Sequence, residues 1–208
     1  MRCIFKKLFV LEGNIGAGKS TLIQLLGKKL GNASILSEPV EEWKTIGGIN
    51  LLNAFYSNPK RWCFTFEVCS MISKIKKLNE AYKSDSDIIF MERSLYSDQV
   101  FHKLSFFLDK INPSEMIILQ DLYNHFKIQY PRINGIIYIN TDSKTCLQRI
   151  KNRQRKEEAK IDEDYLKKLE NQLKTIEYSC PILEIDGTYD VKKTDEIIDK
   201  ILNFIKYN

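Results

Sequence analysis

The 208-residue chain has no apolar stretch long enough to cross a bilayer. Its early apolar run, LFVLEG at 8–13, is short and runs directly into a glycine loop, so neither a membrane span nor a secretory leader is expected. Cysteines number five, Cys3, Cys63, Cys69, Cys146 and Cys180, with no C-x-x-C pair. This odd, scattered set argues against a disulfide framework and a structural zinc, and implies reduced thiols in a cytoplasmic setting. A large excess of one charge is also missing: 32 basic against 27 acidic residues leave +5. That balance gives no ground for a nucleic-acid or membrane partner and suits an anionic small molecule. Repeats and low-complexity tracts are absent, and the one shift in composition is RIKNRQRKEEAK at 149–160. The length fits a single domain over 1–208.

What is present is an alternation. Five short β-rich runs, at 7–12, 34–38, 87–92, 135–140 and 181–186, are apolar on both faces, as buried parallel strands are. Helical patterns occupy 19–30, 59–82, 95–109, 114–128, 143–153, 162–178 and 193–206. Turn signals at SNPK, INPSE and YPRING separate them. The expectation is a three-layer α/β fold with a five-stranded parallel sheet flanked by helices.

GNIGAGKS at 13–20 matches G-x-x-x-x-G-K-S between a predicted strand and a predicted helix, the context a phosphate-binding P-loop requires. Gly13, Gly16 and Gly18 let backbone N–H groups converge on phosphate oxygens at a helix N-terminus. Lys19 is placed for the β- and γ-phosphates and Ser20 for Mg²⁺. The loop does not name the reaction, but no N-K-x-D element accompanies it, which argues against a GTPase. Ligands in such a sheet sit at the carboxyl ends of the strands. Two predicted strands deliver Glu38 and Glu92 there, and Pro39 restricts the backbone beside Glu38. Alone, Glu38 reads as an ordinary loop acid and Arg93 as a surface arginine; beside a P-loop they suggest metal binding or base catalysis.

EGNIGAGKSTL, EPVEEW, NLLNAFYSNPKRWCFTFE, ERSLYSD and RIKNRQRKEE follow in an order and spacing that resemble the deoxycytidine and deoxyguanosine kinase family of deoxynucleoside kinases, from about residue 8 to ILEIDGTYD. The resemblance implies a P-loop kinase fold with a short basic lid at about 149–160, and γ-phosphoryl transfer from ATP, with Mg²⁺, to a deoxyribonucleoside 5′-hydroxyl. It implies an ATP site of Gly13, Asn14, Ile15, Gly16, Ala17, Gly18, Lys19, Ser20, Thr21, the lid arginines Arg149, Arg153 and Arg155, and Asp190. Glu38 then resembles the general base, Arg93 the residue holding Glu38 and the hydroxyl, and Glu92, with Ser20, the metal-side group. Tyr56 and Glu158 resemble the pair binding the sugar 3′-hydroxyl, and Trp43 and Phe66 the apolar walls around the base. A homodimer is a further implication.

Lys74 and Asp98 resemble the basic residue and aspartate found in members that take deoxycytidine and purines rather than thymidine. Glu67 departs from the family's glutamine. A carboxylate only accepts, which suits the N1–H and N2 amino group of guanine, or the N4 amino group of cytosine where N3 is protonated, so a preference for deoxyguanosine or other non-thymidine nucleosides is expected. Burial would raise the pKa of Glu67 and Lys74 would lower it, and the sequence leaves that balance open. His102 reads as a structural residue near the base site and His125 as a surface one. The competing readings are a nucleoside monophosphate kinase such as thymidylate kinase, which would need arginines where SEPVEEW is acidic, a thymidine-preferring kinase, and a P-loop binding module without catalysis.

Overall fold

A computed structural model describes residues 6–189 and 193–208. Five strands, β1 (Lys7–Gly13), β2 (Ala33–Leu36), β3 (Ile88–Glu92), β4 (Ile133–Asn140) and β5 (Ile182–Asp186), form one parallel sheet in the order β2-β3-β1-β4-β5. The helices are α1 (Lys19–Lys29), α2 (Val40–Trp43), α3 (Leu51–Ser57), α4 (Pro59–Tyr82), α5 (Leu95–Phe107), α6 (Pro113–Gln129), α7 (Ser143–Arg153), α8 (Glu163–Leu173) and α9 (Thr194–Tyr207). A 3₁₀ turn at Lys156–Glu158 follows α7.

Alternation along β1 builds the three layers. Phe9 and Leu11 pack with Leu22 and Leu26 of α1, Ile150 of α7 and Ile201 of α9, while Leu8 and Val10 pack with Leu78 and Ala81 of α4. Successive side chains of a strand leave opposite faces, so a central strand apolar throughout needs helices on both sides. The edge strands depart from the expected double burial: β2 is half-buried throughout, and β5 leaves Ile182 and Asp186 exposed. Each has a neighbouring strand on one side only.

The predicted helices are present with local shifts. Proline at the first turn starts α4 and α6, and Asn112 with Glu115 forms a reciprocal cap on α6. The helix predicted to 178 ends at Leu173, and the short α2 and α3 were not expected. In α4 the buried positions are Cys63, Phe66, Glu67, Ser70, Met71, Lys74, Leu78 and Ala81, one stripe at spacings of three and four. Glu67 and Lys74 thus lie on the buried face of the helix, which excludes a solvated stripe for them.

Candidate active site

The chain leaves the buried centre of the sheet at Gly13 and curls over the N-terminus of α1. Gly16 has φ +80°, and a Cβ there would stand 2.6 Å from the carbonyl oxygen of Cys146; a Cβ on Gly13 would come equally close to that of Ile139. Only glycine fits both the backbone conformation and the space. Lys19 is buried, and its Nζ donates to the carbonyl oxygens of Gly13 (3.2 Å) and Asn14 (2.7 Å). Burial, helped by Arg93, lowers its pKa to about 8, with Glu92, Glu38 and Glu12 opposing. A phosphate would restore the favoured charge and give the ammonium a better partner than two carbonyls.

Ser20 Oγ donates to Glu92 Oε1 at 2.9 Å, so the end of β3 and the start of α1 meet here. These are the hard oxygen donors that suit Mg²⁺, which takes few protein ligands and keeps phosphate oxygens and water. Next to Glu92 the backbone turns sharply. Arg93 has φ +65°, an uncommon conformation for a non-glycine residue, and its N–H still reaches the carbonyl oxygen of Leu11 at 3.0 Å. Ser94 then caps α5 and donates to Glu12 Oε1 at 2.6 Å. The turn leaves the Arg93 guanidinium buried, with Nε 3.0 Å from Glu38 Oε1 and Nη1 donating to the carbonyl oxygen of Gly13 at 3.1 Å.

Glu38 lies two residues beyond the end of β2. Burial alone would raise its pKa, but Arg93, with Lys19, Lys74 and Arg155, outweighs burial and holds it below the ordinary value. It is therefore charged at neutral pH and able to accept a hydroxyl's hydrogen bond and proton.

One cavity of about 850 Å³ joins these groups to the residues expected around a nucleoside: Trp43, Tyr56, Phe66, Glu67, Lys74, Asp98 and Glu158 all line it. Trp43 meets Phe66 edge-on at 5.2 Å, and Phe66 stacks on Phe55 at 4.7 Å. Lys74 is ion-paired with Asp98, both almost fully buried, and Asp98 Oδ2 has no hydrogen-bond partner. Tyr56 has its pKa raised by burial and then by the charges of Glu158 and Glu38, so its hydroxyl stays protonated and can donate.

The three lid arginines divide. Arg149 is fastened to the loop, with Nη1 donating to the carbonyl oxygen of Ala17 (3.0 Å) and Nη2 to that of Gly187 (2.7 Å). Arg153 ends α7, and Gln154 takes a left-handed conformation, so Arg155 stands beyond the helix. Both hold Glu158: Arg153 Nε donates to Oε2 and Arg155 Nη1 to Oε1, each at 2.7 Å. Arg153, Arg155 and Arg149 all line the cavity, as do Ile15, Gly16, Ala17, Gly18, Ser20 and Thr21. Asn14 is buried behind the loop, donating to the carbonyl oxygen of Leu166. Asp190 lies outside the described residues.

Sequence reasoning passed over Phe55, Phe101 and Tyr165, which also line the cavity. Phe55 lies in the unexpected α3, Tyr165 in α8, where no site residue was expected, and Phe101 stacks under Arg93 at 4.8 Å. His102 was read as structural, and it is buried with Nε2 3.7 Å from Glu67 Oε2.

The family model described as Deoxynucleoside kinase matches residues 9–207. The chain belongs to the deoxynucleoside kinase family. It is 34% identical to deoxycytidine kinase 2 of Gallus gallus, over 94% of this chain and 89% of that one. It is 32% identical to deoxycytidine kinase of Homo sapiens, over 96% and 91%, and 30% identical to the mitochondrial deoxyguanosine kinase of Xenopus laevis, over 96% and 88%. The α/β architecture with an all-parallel five-stranded sheet is that of a P-loop kinase.

In this deoxynucleoside kinase the balance at Glu67 is decided by burial. Burial and then Asp98 raise its pKa to about 8, against weaker opposition from Lys74, whose ammonium is engaged by Asp98. His102 moves the other way, to about 4, chiefly through burial. The linkage signs follow. Between the ordinary 4.5 and about 8, folded Glu67 holds a proton that the unfolded chain has released, so stability falls as pH rises. Between about 4 and 6.5 the unfolded chain protonates histidine and the fold does not, so stability rises with pH. The two oppose each other up to pH 6.5, and of the two only Glu67 acts from there to about 8. In that window Glu67 should therefore contribute a loss of about 1.4 kcal/mol per pH unit to the urea unfolding of the kinase. Glu67→Gln should remove the loss; an equal loss in the variant would contradict a protonated Glu67.

Proposed function

We propose that the kinase, as one catalytic domain spanning the chain, transfers the γ-phosphoryl group of ATP to the 5′-hydroxyl of a deoxyribonucleoside other than thymidine. The observation that carries this is the Glu38–Arg93 pair, which lines one cavity together with the P-loop and the aromatic and polar groups of a nucleoside pocket. Glu38 accepts the hydroxyl proton while Arg93 orients both. Such transfer depends on positioning and charge neutralisation, since the transition state spreads charge over the phosphoryl oxygens. Lys19, the loop N–H groups, Arg153 and Arg155 supply that neutralisation from the protein. Ser20 and Glu92 would hold Mg²⁺, which would add its own positive charge to the neutralisation of the phosphates.

Trp43, Phe55 and Phe66 form the apolar wall for the base, and Tyr56 with Glu158 takes the sugar 3′-hydroxyl. Arg153 and Arg155 hold Glu158 as well as facing the ATP side, so sugar binding and lid position are linked through one carboxylate. The unpartnered Oδ2 of Asp98 asks for an N–H donor. Exocyclic amino groups provide one, whereas O4 of thymine presents an acceptor to an acceptor. The names of the relatives, deoxycytidine and deoxyguanosine kinases, support the same preference, and deoxyguanosine stays within it. A nucleoside monophosphate fits less well, because Glu38 and Glu41 both line the cavity and would repel a second phosphate.

A homodimer belongs to the proposal: α4 and α6 pack on each other and leave Ile72, Ile117, Ile118 and Ile128 exposed. A cytoplasmic setting belongs to it as well, on the strength of four free thiols among the described residues. Phosphorylation of the four deoxynucleosides by purified enzyme with ATP and Mg²⁺ tests the reading. Deoxycytidine and the purine nucleosides should react with thymidine at least tenfold behind in kcat/KM; a dominant thymidine activity would overturn it.

A further inference from the structure

Glu67 and His102 form a buried acid–base pair that the transfer chemistry does not use. His102, on α5, is 1% exposed, and its Nε2 has no hydrogen-bond partner while standing 3.7 Å from Glu67 Oε2. The other carboxyl oxygen, Oε1, accepts from Ser105 Oγ at 3.2 Å and faces Cys63 Sγ at 4.0 Å. No ammonium is spent on this carboxyl group among the described residues. Lys74, on the same helix, pairs with Asp98, and Lys110 lies over the rings of Phe55 and Tyr165. From α8 Tyr165 adds only a neutral phenol, because burial keeps its pKa high, and Tyr123 of α6 is likewise raised.

We infer that Glu67 and His102 hold one proton between them, and that the base bound in the cavity decides which of the two carries it. This rests on the nucleoside-binding reading of the cavity. With the proton on Glu67, the group is a neutral carboxylic acid with one donor and one acceptor. That face matches N3 and the N4 amino group of cytosine, or N1 and the N6 amino group of adenine. With the proton moved from Oε2 to Nε2 of His102, Glu67 is a carboxylate that accepts from two donors, and the imidazolium N–H donates back to Oε2. That face matches N1–H and the N2 amino group of guanine.

The transfer breaks one O–H bond, makes one N–H bond and leaves the pair without net charge in either form. Neutrality matters, because an unbalanced charge is costly in so buried a place. For the proton to cross, the 3.7 Å gap must close to about 2.8 Å, the length of a charge-assisted hydrogen bond. In the free enzyme the resting form has the proton on Glu67, since burial raises the acid to about 8 and lowers the imidazole to about 4. Guanine then draws the pair out of its resting form and cytosine does not. Above about pH 8 Glu67 loses the proton outright, so guanine gains relative to cytosine as pH rises.

The chain has two histidines, and His125 is exposed, which makes ¹⁵N imidazole spectra of the intact enzyme simple to assign. With saturating deoxyguanosine at pH 7, His102 should show the imidazolium signature, and with deoxycytidine the neutral one. His102→Phe should lower the deoxyguanosine-to-deoxycytidine ratio of kcat/KM at least fivefold, and in Glu67→Gln that ratio should lose its rise between pH 6.5 and 9. A neutral His102 with both nucleosides overturns the inference, with or without a folded His102→Phe variant. So does an unchanged ratio in a variant that phosphorylates both. Failure of the unaltered enzyme to phosphorylate any nucleoside would instead count against the kinase assignment of the cavity.

Discussion

Glu38→Gln should lower kcat by about 10²–10⁴-fold, the usual contribution of a positioned general base. In free energy this is about 3–5 kcal/mol of transition-state stabilisation. The substitution keeps the shape of the side chain and an oxygen for Arg93 Nε, now 3.0 Å from Oε1. It removes the site proposed to take the hydroxyl proton. The KM for nucleoside should move only a few-fold, because the walls formed by Trp43, Phe55 and Phe66 are untouched. A fall in kcat without a matching rise in KM marks an interaction made in the transition state. The low pKa of Glu38 has a further consequence: kcat/KM should stay level as pH falls towards the ordinary carboxylate range and drop only below it. Steady-state kinetics from pH 8 down to below 4.5 checks both, and thermal melts confirm that the variant is folded. A KM-only effect would remove Glu38 from the base role.

Lys19→Ala should be comparably severe, lowering kcat by about 10²–10³-fold, as loss of one preorganised charge donor at the transferring group does. In the structure the ammonium is parked on the carbonyl oxygens of Gly13 and Asn14. That arrangement keeps a buried cation hydrogen-bonded until a phosphate replaces the weaker partners. Because its pKa is lowered to about 8, the cation is lost as pH rises through that value, and affinity of the free enzyme for ATP should weaken there. Bound triphosphate favours the charged form, so the weakening should appear in the KM for ATP more than in kcat. Lys19→Arg should not restore activity. The planar guanidinium is wider than an ammonium, and the lysine site is closed by the loop backbone. A Lys19→Ala variant with near-normal kcat would contradict this account of the loop.

Much of this geometry was legible in the chain because it depends on short-range rules. GNIGAGKS between an apolar strand and a helix specified the loop, and the carboxyl ends of two strands brought Glu92 and, two residues further on, Glu38 to it. The α4 stripe was harder. Glu67 and Lys74 share a face by spacing alone, but which face is buried depends on α5 and α6 packing against it. Whether Glu67 is charged depends first on how deeply that packing buries it and then on Asp98, twenty-four residues beyond Lys74, which takes the ammonium for itself. No local pattern carries such a contact. In the lid the helix expected over 143–153 ends where the sequence placed it, and what stayed hidden is the left-handed turn at Gln154, a tertiary choice that sets where Arg155 stands relative to Arg149 and Arg153. The short α3 escaped notice because seven residues give too little periodicity to weigh, and with it went Phe55.

The central claim is that a nucleoside hydroxyl, placed between Glu38 and the P-loop, receives the phosphoryl group. Incubating the enzyme with γ-labelled ATP and Mg²⁺, and either deoxycytidine or its 5′-monophosphate, tests it most directly. Label should appear on the 5′-oxygen of deoxycytidine, giving the monophosphate, and 2′,5′-dideoxycytidine should take none. Label found only in the diphosphate, or ATP hydrolysed at the same rate with no acceptor present, would contradict the account.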